Sequence, residues 1–277
     1  MGMSIDHHIY TGVTLESPVI EQLNCATVAI FLQQAPYKQD NSEEINQDAA
    51  AVIPVGEKAV VLVVADGMGG APSGDIAARL AIESLVKNLE QASEDTLRDA
   101  ILDGIEKANK AILQLENGAA TTLAIVEING NRMRSYHVGD SGIIVTGQRG
   151  RIRLQTTAHS PTAYAVEAGY IDEKEALAHD ERNIVSNIVG SRELRIEIGP
   201  PVRLAPRDTV VVASDGLFDN LLTEEIVEQV RCGALEKSAA TLASTCVERM
   251  KGNTAGYVRG HADDLSFIIY RPGKCRN

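Results

Sequence analysis

Apolar residues recur along the chain with two periods, and the switch between them outlines the elements. Nearly unbroken aliphatic runs at 26–32, 49–53 and 58–65 predict buried strands. The last of these stops abruptly at Asp66-Gly67-Met68-Gly69-Gly70, the signature of a strand entering a tight loop. Helical spacing follows. Residues 75–89 place Ala77, Ala81, Leu85 and Leu89 on one face, and residues 96–115 do the same with Leu97, Ile101, Ile105, Ala108, Ile112 and Leu115. Two amphipathic helices of this kind predict a sheet beneath them. The pattern then returns to strands at 121–128 and 132–138, joined around Asn129-Gly130, and at 142–146 and 151–155, joined around 147–150. This stretch predicts a meander rather than parallel crossover units.

Between 156 and 201 the periodicity weakens, with a helical piece near 173–179, which predicts an elaboration over a sheet edge. A further Val-rich strand at 209–213 ends in Ser214-Asp215-Gly216, much as the earlier one ended in Asp66-Gly67. Helices near 224–230 and 238–250 precede a final strand, 265–270, entered through Asp263-Asp264. No linker-like segment divides the chain, so one domain over 1–277 is expected.

Composition narrows the functional classes. Hydrophobic residues make up 44% of the 277 positions but aromatics only 4%, with no Trp, so the core must be aliphatic. A formal charge of -12 argues against a broad basic footprint for nucleic acid or anionic membrane, and neither is expected as a partner. No apolar run approaches the roughly 18 residues of a membrane span, and residues 1–15 lack the pattern of a secretory signal. Cys25, Cys232, Cys246 and Cys275 form no Cys-x-x-Cys pair, so reduced thiols and a cytoplasmic location are expected. His7-His8, near the start, is read as uninvolved in metal binding.

The candidate chemistry lies in carboxylates. Asp48, Asp66, Asp140, Asp215 and Asp263 each sit at the boundary of a predicted strand, and Gly follows two of them. A single Asp-Gly usually only makes a turn. Repetition at strand ends, which can converge at one sheet edge, outweighs that reading. If they converge, each pair about 5 Å apart repels by roughly 3 kcal/mol at an effective dielectric near 20, so the cluster needs protons or cations. Oxygen ligands without His or Cys suit magnesium or manganese, and a pair of such ions could activate water for attack on phosphorus. On chemistry alone, other carboxylate-metal hydrolases remain open.

The ordered motifs resemble the metal-dependent type 2C protein phosphatases, also called the PPM family, in its bacterial form, over residues 24–271. They are Asn46-Gln47-Asp48-Ala49, Val64-Ala65-Asp66-Gly67-Met68-Gly69-Gly70, Gly118-Ala119-Ala120-Thr121-Thr122-Leu123, Gly139-Asp140-Ser141, Ala213-Ser214-Asp215-Gly216-Leu217-Phe218-Asp219 and Ala262-Asp263-Asp264-Leu265-Ser266. The resemblance implies an α+β fold, a layered αββα sandwich of two antiparallel sheets flanked by helices. It implies that Asp66 bridges two central Mn2+ or Mg2+ ions, with the Gly67 carbonyl on one of them and Asp215 and Asp263 completing the other side. Asp48 would support the cluster, and Asp140, sharing Asp215, would help hold a third, weaker ion. The activity implied is hydrolysis of phosphoserine and phosphothreonine in proteins by a metal-bridged hydroxide, with Asp66, Asp215 and Asp263 indispensable. A monomer acting on phosphorylated protein substrates is expected, with 156–201 helping to choose them.

Departures from the family pattern give the alternatives their footing. Glu43 stands where the family generally has a phosphate-gripping arginine, so either Lys38 or another basic residue reaches the site, or phosphate binding is weaker. That motivates a regulatory or scaffold reading; a phosphatase for small phosphorylated molecules is a third. Gln47 and Met68 look like bacterial-type variants. Asp264 replaces the usual Asn and is read as solvent-facing or as a local turn contact rather than as a further ligand. His159 is read as structural or surface, and Thr121-Thr122 as a buried pair supporting the site.

Overall fold

The computed structural model describes residues 7–38, 45–68, 73–252 and 260–273. The chain lays down strands β1 (His8–Thr11), β2 (Val19–Leu23), β3 (Ala26–Gln33), β4 (Asp48–Val55) and β5 (Ala59–Asp66), then helices α1 (Gly74–Leu89) and α2 (Leu97–Leu113). Strands β6 (Leu123–Asn129), β7 (Arg132–Val138), β8 (Gly142–Thr146) and β9 (Ile152–Gln155) come next. They correct the expected single meander, because β6 and β7 pair as a hairpin in one sheet and β8 and β9 as a hairpin in the other, the chain crossing between sheets at 139–141. Short pieces follow: α3 (Pro161–Glu167), α4 (Glu173–Leu177), β10 (Glu197–Ile198) and β11 (Val202–Arg203). The last third carries β12 (Thr209–Ala213), α5 (Asp215–Phe218), α6 (Thr223–Val230), α7 (Leu235–Met250) and β13 (Leu265–Pro272).

Two sheets result, every pairing antiparallel. One runs β1-β4-β5-β6-β7-β10, with β11 also on β7; the other runs β2-β3-β13-β12-β8-β9. The unbroken apolar runs are explained by burial on both faces. In β5, Val61, Val63 and Ala65 pack under α1 and α2, while Val60, Leu62 and Val64 point between the sheets. There they meet Ile30, Val210, Val212 and Ile268 of the second sheet. The outer face of that sheet, through Phe31, Val211 and Ile269, is covered by α6 and α7 residues such as Ile226 and Leu242. The layers are therefore helix, sheet, sheet, helix, as expected.

Four features were not legible in the periodicity. Strands β1 and β2 are short, half-buried edge strands, so no alternation marks them; His8 lies on β1 and pairs with Glu21 at 3.4 Å. Strands β10 and β11 have two residues each and cover the β7 edge. Helix α3 carries a signal that periodicity does not register: Ser160 caps Ala163 N–H through its side chain, and Pro161 stands at the first helical position. Cys25 is disulfide-bonded, correcting the expectation of reduced thiols, whereas Cys232 and Cys246 are free. No helix of the described residues is long and apolar enough to cross a membrane.

Candidate active site

Antiparallel alternation brings distant aspartates to one edge of the sandwich. Asp48 opens β4 directly opposite Asp66, which closes β5. Asp140 follows β7, Asp215 follows β12 as the first residue of α5, and Asp263 precedes β13. Carboxylate oxygens of Asp66, Asp140 and Asp215 lie within 4.8 Å of one another. With Asp263, these three line a cleft of about 900 Å3 whose walls include Lys38, Gln47, Gly67 and Met68. Asp48 sits just beneath, buried, accepting a hydrogen bond from the Ser214 hydroxyl at 2.8 Å. The structure thus brings together all six residues singled out for metal: Asp48, Asp66, Gly67, Asp140, Asp215 and Asp263.

The surrounding backbone leaves little freedom. The Asp66 carbonyl accepts from the Thr121 hydroxyl at 2.7 Å and from Thr122 N–H at 2.8 Å, and the Thr122 hydroxyl meets that of Ser141 at 2.6 Å. Thr121-Thr122 is the buried supporting pair anticipated from sequence. At Gly67 an added Cβ would lie 2.2 Å from the Gly74 carbonyl oxygen and 2.8 Å from that of Gln47, both backbone atoms, so only glycine permits this approach of loop, helix and strand.

Electrostatics make the cluster unstable on its own. Burial, then the neighbouring Asp215, pushes Asp66 well above the ordinary carboxylate range. Burial is the main cause for the others too, followed by Asp264 for Asp48, Asp219 for Asp140, Asp140 for Asp215, and Asp215 for Asp263; each of these four is pushed up to about 7. Asp219, four residues after Asp215, belongs to the same field and is raised by burial and by Asp215. Oδ1 of Asp48 and Oδ1 of Asp140 are buried and meet no donor among the described residues. Orphaned hard oxygens in an all-carboxylate set fit Mg2+ or Mn2+ and do not suit a soft, thiolate-seeking metal.

Asp264 corrects the sequence reading. It is buried rather than solvent-facing: its Oδ2 accepts from Lys38 Nζ at 2.8 Å and from Gln47 N–H at 2.7 Å, and its Oδ1 from Ala35 N–H at 2.8 Å. Burial disfavours the Lys38 ammonium, but the hydrogen bond and charge of Asp264 outweigh this and raise its pKa. This pair ties the loop before β4 to the start of β13. Lys38→Met is expected to destabilise the protein by about 3–5 kcal/mol by stranding a buried charge. Urea unfolding should show most of that loss recovered in Lys38→Met/Asp264→Asn. The position outlined by Glu43 lies outside the described residues.

His137, His159 and Glu197 are close enough to one another to hold an ion, but their hydrogen bonds assign them otherwise. Nδ1 of His159 accepts from Gly139 N–H at 3.0 Å, which places the ring proton on Nε2, facing Glu197 at 3.2 Å. His159 therefore has no lone pair to offer. His137 stacks on it at 4.5 Å and donates from Nε2 to the Thr157 carbonyl at 3.0 Å. Burial, then His159, holds His137 below its ordinary pKa. The trio braces the Gly139-Asp140 turn, and His159 is structural, as the sequence suggested.

An αββα sandwich with an all-carboxylate, cation-demanding cleft at one sheet edge defines a metal-dependent hydrolase class. The chain belongs to the protein phosphatase 2C family, whose model matches residues 37–250. It is 33% identical over 181 residues to a protein phosphatase 2C-type protein of Streptococcus pyogenes, covering 62% of this chain and 73% of the relative. The solved serine/threonine phosphatase of S. agalactiae superposes with a TM-score of 0.73 at 26% identity, covering 91% of this chain and 99% of that one. The same fold recurs in the catalytic domain of the serine/threonine protein phosphatase PstP, solved with two manganese ions (TM-score 0.69, 22% identity, 90% and 99% covered).

Proposed function

We propose that this chain is a manganese- or magnesium-dependent phosphatase that hydrolyses phosphoserine and phosphothreonine in proteins. The observation that carries the reading is the convergence of Asp66, Asp140 and Asp215 with orphaned buried oxygens on Asp48 and Asp140. Asp66, Asp215 and Asp263 would hold two central cations with the Gly67 carbonyl, Asp48 would support them, and Asp140 with Asp215 would hold a third, weaker one. When bound, divalent cations supply the charge that acidifies water and stabilises negative oxygens on phosphorus. The chain's own part is positional. The Thr121 and Thr122 contacts fix the Asp66 turn, Ser214 orients Asp48, and Lys38 brings a cation to a wall of the cleft.

Residues 24–271 act in this proposal as one phosphatase domain, monomeric and cytoplasmic, with 156–201 helping to choose substrates. Asn183 and Val185 of that segment line the cleft mouth, which supports such a role. The regulatory reading is not favoured, because none of the cluster carboxylates is missing. The test is release of phosphate from a phosphothreonine peptide by the purified chain with manganese. Release that stops on chelation and resumes on manganese addition is expected; a folded, manganese-loaded protein releasing none would refute the proposal.

A further inference from the structure

A second, larger cleft, about 1260 Å3, lies at the opposite pole of the sandwich. Its walls are the turns at the far ends of the same strands: Lys58 before β5, residues 130–131 between β6 and β7, 147–151 between β8 and β9, and 204–208 before β12. Lys58 lies eight positions from Asp66, just before the start of β5, so the two clefts are roughly 25 Å apart.

In a chain of net charge -12 this cleft is basic. Lys58, Arg149, Arg151, Arg153, Arg203 and Arg207 line it, all exposed, against a single lining carboxylate, Asp208. Asp208 is buried and already bound by Arg153 and by Ala205 N–H at 2.7 Å. Among the described residues, no carboxylate forms an ion pair with Lys58, Arg149, Arg151, Arg203 or Arg207. Five cationic side chains without an ion-pair partner among the described residues repel one another, an arrangement that folding alone does not favour. Arginine also dominates the set, and its planar fork binds carboxylates two bonds at a time.

We propose that this cleft docks an acidic segment of a polypeptide partner. Three observations favour a polypeptide over nucleic acid. The protein's overall negative field opposes a long polyanion. The cleft offers no exposed aromatic ring for base stacking, since Tyr270, the one aromatic lining it, is buried. Ile152 and Pro206, both exposed, give it apolar surface between the cations, which matches an acidic peptide interspersed with apolar side chains. The proposal holds whichever phosphoester the active site takes. A partner held here by a flexible segment would be presented to the distant active site at raised effective concentration.

The test uses the full chain and a fluorescent glutamate-rich peptide of about twelve residues, long enough at about 3.3 Å each to cross the molecule. Binding is compared between wild type and Arg149→Glu/Arg151→Glu/Arg207→Glu, with the milder Arg149→Gln/Arg151→Gln as a second variant. Both variants should keep the wild-type melting temperature and hydrolysis of p-nitrophenyl phosphate, because the changes lie on exposed turns far from the carboxylates. Reversing three charges is expected to weaken peptide binding at least about tenfold, the double variant less, and added salt should weaken the wild type. Binding undiminished in the charge-reversed protein, or an oligothymidylate of the same length binding tighter than the peptide, would overturn the proposal. Loss of p-nitrophenyl phosphate hydrolysis in the wild type would instead strike at the active-site reading and leave this one standing.

Discussion

An Asp215→Asn substitution is expected to lower manganese-dependent phosphate release by at least about 100-fold while making the metal-free protein more stable. The two effects have one cause. Asp215 shares its surroundings with Asp66 and Asp140, whose oxygens lie within 4.8 Å, and burial together with Asp140 pushes its own pKa up to about 7. The amide keeps the shape of the side chain and removes the charge. Without that charge the remaining carboxylates repel less, so urea unfolding in the presence of chelator should need more denaturant than the wild type. Cation affinity falls for the same reason, and several kcal/mol of lost charge stabilisation corresponds to two or more orders of magnitude in rate. A variant inactive because it misfolds would show the opposite stability change, so the paired measurement separates the cases. Full activity in Asp215→Asn would remove Asp215 from the metal site.

Such opposed effects are usual where a site is held in a form its own residues do not favour. They also explain which parts of this protein were legible in its sequence. Buried strands announced themselves because both faces of β4, β5 and β12 are covered, giving runs that no exposed segment would tolerate. The aspartates stood out because each interrupts such a run at its end, where a charged residue makes no contribution to packing. What lacked a local signal was decided by partners distant in sequence. Asp264 looks like any turn residue until β13 brings it against Ala35, Lys38 and Gln47, more than two hundred positions away. His159 is similar: its role comes from Gly139 and Glu197, on either side of it in sequence. The basic cleft was invisible for the same reason. Its cations come from three separate turns and from β9 and β11, and a net charge of -12 hides a local excess of the opposite sign.

Removing metal should make stability fall as pH rises, an unusual direction for a protein rich in carboxylates. Asp48, Asp140, Asp215 and Asp263 have native values of about 7 against an ordinary 3.8, because burial and mutual repulsion disfavour their charged forms. Between those limits the folded chain holds protons that the unfolded chain has released. The raised values therefore contribute stability that is fully present below about pH 4 and is lost as pH climbs through about 7. Two extra native protons near pH 6 already give a slope of about -2.7 kcal/mol per pH unit, large beside a total stability of about 5–15 kcal/mol. Melting in chelator should thus occur at lower temperature at about pH 8 than at about pH 5. Saturating manganese should reverse the order, since cations need the carboxylates deprotonated and bind more tightly as pH rises, releasing protons as they do. Melting in chelator that is flat or rises across this range would mean that the aspartates ionise freely in the folded chain, and the cluster would then exert no demand for a cation.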